Sequence, residues 1–133
     1  MRITADTNVL LRALLADDEA QTALAAEALK GAELVAVSLA SLCEVAWVLR
    51  RLNEASASDI ADAIRRVLAL PDIAADRPAV DAGLAVLDAG GDFADGAIAF
   101  EGARAGGETF ISFDHKAVKL LADAGRPARL LGA

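Results

Sequence analysis

Short apolar runs of strand-forming residues recur along this chain, and between them lie longer stretches whose apolar residues repeat at helical spacing. Residues 2–5 and 34–37 read as strands, 72–75 as a weak one, 109–113 as the clearest and 128–131 as a short last one. Helices are expected over 7–15, 19–29, 39–52, from Ser56 through Leu68, over 79–89, from Asp92 or Phe93 to about 105, and over 115–124. Ser38 is placed to cap one of them, Pro71 to end another and Pro78 to open the next. Gly90-Gly91, Gly106-Gly107 and Gly125 supply the breaks. Strands that alternate with helices imply an α/β fold with a parallel sheet covered on both faces, joined by right-handed crossovers.

The chain has 133 residues, 56% of them hydrophobic, which suits one domain over residues 1–133 with a substantial core. Four Phe, one Trp and no Tyr make that core aliphatic. The single Cys43 has no partner for an internal disulfide, so a reduced, cytoplasmic setting is expected. Asp6 interrupts the opening apolar run, which does not resemble an export signal. No uncharged segment approaches the roughly 18–20 residues of a membrane span, so a soluble protein is expected.

Four acids stand out. Asp6 directly follows the first strand and Asp114 the strand at 110–113, and ligands of open α/β sheets bind at the carboxyl ends of strands. Each acid also precedes a helix, where Asp is a good N-cap. Glu44 lies in the apolar stretch Leu42-Cys43-Glu44-Val45-Ala46-Trp47-Val48-Leu49. Buried there, it would need a partner or a metal; otherwise it marks the one wet face of that helix. Asp95 stands three residues after Asp92, so the two fit N3 and N-cap of one helix, and Asp92 is a candidate fifth, outer acid of a site.

Clustered carboxylates repel one another unless a cation satisfies them. An all-oxygen set suits Mg²⁺ or Mn²⁺. Such an ion can activate and orient a water for attack on a phosphodiester, with no side-chain nucleophile required. The formal net charge of −7 opposes nucleic-acid binding, and a bound cation would offset part of it.

The residues around these acids resemble the PIN-domain family. Ile3-Thr4-Ala5-Asp6-Thr7-Asn8-Val9-Leu10 is similar to its opening motif, and the Glu44 helix to its second. Phe93-Ala94-Asp95-Gly96-Ala97-Ile98-Ala99 resembles its third, with Gly96 where Ala is usual. Thr109-Phe110-Ile111-Ser112-Phe113-Asp114-His115-Lys116 resembles its closing motif. Order, spacing and length together resemble the VapC-type toxins of that family. The resemblance implies a three-layer α/β/α sandwich with a short central parallel sheet of four to five strands. It implies a Mg²⁺- or Mn²⁺-dependent endoribonuclease acting on RNA such as tRNA or rRNA, with Asp6, Glu44, Asp95 and Asp114 as metal-binding and catalytic acids. Thr7, Asn8 and Ser112 would support them, and a homodimer and a cognate antitoxin protein are further implications.

Lys116 and Lys119, a turn apart after Asp114, are the basic residues best placed to meet RNA. For Arg12, Arg50-Arg51 and Arg65-Arg66 a solvated helix face is the simpler expectation. His115 is expected at an exposed helix start, and Trp47 and Leu49 in the core rather than in a groove for the antitoxin. Two other classes compete: a non-catalytic PIN-like binding module, and an aspartate-based phosphotransferase or receiver-like domain. The second needs a Lys ending a late strand, and none does so before Asp114.

Overall fold

The structure, a computed structural model, describes residues 1–132. The chain divides into two compact units, Met1–Asp76 and Arg77–Ala133. The first unit runs β1 (Arg2–Ala5), α1 (Thr7–Leu15), α2 (Glu19–Gly31), β2 (Leu34–Val37), α3 (Leu39–Leu52), α4 (Ala57–Leu68) and β3 (Ile73–Ala74). Its three strands are parallel in the order β1-β2-β3, with Arg2 opposite Leu34, Ala5 opposite Val37 and Val35 opposite Ile73. Parallel neighbours require crossovers, and the helices between the strands provide them.

The core of this unit is aliphatic, as the composition requires. Val35 and Val37 of β2 are buried with Leu10 and Leu11 of α1, Leu42, Val45 and Leu49 of α3, and Ile60, Ile64 and Val67 of α4. Helix starts are set by side chains: Asp18 caps α2 through the Gln21 amide, and Ser38 caps α3 through the Ser41 amide. Ser56 and Asp59 form a reciprocal capping box at α4.

The second unit comprises α5 (Arg77–Asp88), α6 (Phe93–Arg104), β4 (Phe110–Ser112), α7 (His115–Asp123) and β5 (Ala128–Leu130). β4 and β5 pair in parallel, Phe110 against Ala128 and Ser112 against Leu130. The α/β class and the parallel strands are as expected. The five strands of the described residues are shared between a three-stranded and a two-stranded sheet. The weak strand at 72–75 shrinks to two residues, and the one at 109–113 to three, ending before Phe113.

Helices α5 and α6 pack closely because glycines face each other across the contact. An added Cβ on Gly96 would collide with the Ala82 carbonyl and the Gly83 Cα. One on Gly83 would lie 2.6 Å from the fully buried Phe93 ring. Gly96, which resembles an Ala position of the family, is therefore required here by packing. Both clashes involve backbone or a buried ring, which cannot swing aside. Gly96→Ala should lower stability by about 1–3 kcal/mol, the usual cost of overpacking, in urea unfolding followed by circular dichroism. A variant as stable as the parent would show that α5 and α6 are not held at this separation.

Candidate active site

In the first unit the peptide turns from β1 into α1 at Asp6, whose Oδ1 accepts a hydrogen bond from the Val9 amide at 3.0 Å. The cap is therefore real, yet it uses one carboxylate oxygen and leaves Oδ2 out of the bond. The next residue, Thr7, donates its hydroxyl to Glu44 Oε1 at 3.3 Å. That contact ties the start of α1 to the middle of α3 and brings the first two acidic motifs together. Glu44 is exposed, so it lies on the wet face of its helix and no burial cost singles it out. What distinguishes it is the hydroxyl that orients it.

Asn8 is exposed beside Asp6, and both line a groove of about 330 Å³ between α1 and α2 with Val9, Arg12, Gln21 and Leu24. Arg12 is engaged at 2.9 Å with Asp17. Trp47 corrects an expectation: it is 58% exposed rather than core, whereas its neighbour Leu49 is buried at 5%. The two residues point to opposite sides of α3, and only Leu49 follows the row of Leu42, Val45 and Ala46 into the core.

In the second unit, Asp92 occupies the N-cap position of α6 without a capping side-chain bond, and Asp95 lies in the first turn. Asp95 is half-buried. Its carboxyl is held above the usual carboxylate range, first by burial and then by the negative charges of Asp92 and Asp114. The third and closing motifs therefore share one electrostatic neighbourhood. Asp114 caps α7, its Oδ1 accepting from the Lys116 and Ala117 amides at 2.9 and 3.1 Å, which again leaves Oδ2 uncommitted to the cap. Ser112 Oγ accepts the Asp114 amide at 3.0 Å and fixes the backbone that carries the acid. His115 and Lys116 are exposed at the start of α7, while Lys119 is paired with Asp123 at 2.7 Å.

Among the described residues no group of three or more His, Cys, Asp or Glu side chains stands assembled as a metal cage. The donor chemistry nevertheless fits a hard divalent cation. All candidate donors are carboxylates, and a cation would offset the burial and the repulsion that Asp95 meets. Trp47 is the residue that sequence reasoning misassigned, and its position three residues after Glu44 was the available signal.

Asp95 makes a signed prediction about pH. Between about 3.8, its ordinary value, and its higher value in the fold, the folded state holds a proton that the unfolded chain has released. Stability contributed by this group falls as pH rises through that window and stays low above it. In metal-free buffer Asp95→Asn should melt higher than the parent at neutral pH, by about 1–3 °C. The gain should vanish below the ordinary Asp value. An unchanged or lowered melting temperature at neutral pH would show that the site does not resist charge.

The model of the family described as PIN domain matches residues 3–122. No curated protein matches the chain significantly. Among the described residues no helix is long and apolar enough to cross a membrane.

Proposed function

Because the chain belongs to the PIN-domain family, whose members are generally nucleases, we propose that it is a Mg²⁺- or Mn²⁺-dependent endoribonuclease that hydrolyses RNA phosphodiesters. In this reading residues 1–133 are one PIN domain, and Asp6, Glu44, Asp95 and Asp114 are its metal-binding and catalytic acids. The observation that supports it most is the crowding at Asp95, where burial and two neighbouring acids favour a proton unless a positive ion takes its place. The finer reading is a VapC-type toxin, held inactive by a cognate antitoxin protein, acting as a homodimer in the cytoplasm on an RNA such as tRNA or rRNA. It rests on the four ordered motifs.

A bound divalent cation would supply Lewis acidity and offset the negative field that opposes RNA. The chain's own contribution is to hold carboxylates in place before substrate arrives. Asp6 and Asp114 are fixed by the helix amides that they cap, and Glu44 by the Thr7 hydroxyl. Asn8, Asp92 and Ser112 are the surrounding polar groups, Ser112 acting through the Asp114 backbone. Lys116 is the exposed cation beside Asp114 that would meet a phosphate, and Lys119 would have to exchange Asp123 for one. An unprotonated carboxylate accepts the proton of the attacking water, and no side chain need form a covalent bond.

Purified protein incubated with total cellular RNA should cut it in Mg²⁺ or Mn²⁺ and not in EDTA. Asp6→Asn, which keeps an oxygen to cap α1, should lower cleavage about a hundredfold or more while the fold survives. Absence of cleavage by folded, antitoxin-free protein in every metal would favour the non-catalytic binding module instead.

Thr7 offers a narrower check, since its hydroxyl donates to Glu44. Thr7→Val should reduce the cleavage rate about tenfold, in line with loss of a carboxylate-orienting partner. Its melting temperature should stay close to that of the parent. Parental activity in this variant would mean that Glu44 needs no orienting bond.

A further inference from the structure

Trp residues usually bury most of their area, and Trp47 does not. It leaves 58% of its surface in water, as Leu52 at the end of the same helix leaves 71%, whereas Leu42, Val45 and Leu49 are buried. On α3 the positions one turn away from it are Cys43 and Glu44 on one side and Arg50 and Arg51 on the other. Arg51 is exposed and Arg50 half-buried. Leu52 lies five positions on, about 140° round the helix, so on its own face the indole has a carboxylate about 4.5 Å along the axis at one end and guanidinium groups at the other.

That setting narrows the occupant. A stable protein interface needs about 800 Å² from each partner, with an apolar centre larger than one side chain rimmed by charge. A nucleobase needs only one aromatic face, with a cation nearby for its phosphate. Charge adds a second argument. With 20 acidic and 13 basic residues, this chain cannot draw much affinity from phosphate contacts, whereas stacking is indifferent to net charge. We infer that Trp47 is a stacking platform for a nucleobase of single-stranded RNA, with Arg51 contacting the adjoining phosphate. A strand held there passes beside Glu44. The inference rests on the nuclease reading and adds a strand-holding subsite to it.

Trp47 is the only Trp, and the chain has no Tyr, so intrinsic emission reports this position alone. Homopolymeric single-stranded RNAs, poly(U) and poly(A), should be titrated into the full-length protein in EDTA and again in Ca²⁺. The expected result is saturable quenching of the emission. End-labelled RNA, followed by anisotropy, should bind Trp47→Ala about tenfold more weakly and Trp47→Phe nearly as well as the parent. Arg51→Ala should lower the slope of log affinity against log salt by about 0.7, the value for one phosphate contact on a single strand. Circular dichroism checks the fold of each variant, which an exposed side chain should leave intact. If the parent binds RNA but emission is unmoved and Trp47→Ala binds equally well, the platform is overturned and the nuclease reading stands. If the parent binds no RNA in either buffer, the platform is overturned, and the cleavage assay decides the nuclease reading separately. Emission that shifts on dilution of protein alone would place a second copy on Trp47 and also overturn the proposal.

Discussion

A strand that runs straight into a helix leaves the first amides of that helix without partners. At α1 the missing acceptor is the Asp6 carboxylate, and at α7 it is Asp114. Each such cap contributes about 0.5–2 kcal/mol, and the benefit is mutual. The helix start is secured, and the carboxylate is locked at the end of a strand with one oxygen committed and the other not. In the proposed function, capping and chemistry are two uses of the same side chain. An amide keeps the capping oxygen and discards the charge, so Asn separates the two uses where Ala would remove both.

Asp95 shows the opposite economy. No cap offsets its charge, and burial together with Asp92 and Asp114 opposes ionisation. It follows Phe93, which is fully buried against Gly83, and precedes Gly96, which admits the close approach of α5. The start of α6 is therefore rigid for reasons of packing, and the carboxylate cannot move away from its neighbours without disturbing that contact. Rigidity of the apolar side keeps the electrostatic strain in place on the polar side. Strain of this kind favours whatever neutralises it, a proton in acid or a divalent cation near neutrality.

The secondary structure was readable because its signals are local: helical spacing of apolar residues, Ser and Asp caps, and glycine breaks. The strand at residues 72–75 was the weakest signal and became the shortest strand. How strands divide between sheets was not readable, because pairing is a long-range choice that no single segment records. The bond between Thr7 and Glu44 joins residues 37 apart and could be guessed only from the order of the motifs. Trp47 was misplaced because an apolar helix invites every large side chain inward, and one residue of difference in position turns a core row into a solvent row. Gly96 stands where Ala is usual in the resembled motif, and its cause lies in a neighbouring helix that the local sequence does not mention.

The acidity of the chain, which opposes RNA binding at first sight, constrains how such binding must be built. Phosphate contacts scale with local positive charge, and here Arg12 and Lys119 are already engaged with acids of their own surface. A protein of this composition does better to hold a strand by terms that net charge does not weaken and to confine its electrostatics to one neutralised point. Base stacking is the first kind of term, and a cation among carboxylates is the second. On the proposed reading, the exposed indole one helical turn from Glu44 would supply the first of these terms. On that reading the negative charge would limit non-specific association with nucleic acid, and stacking would add to the acidic site in retaining a strand.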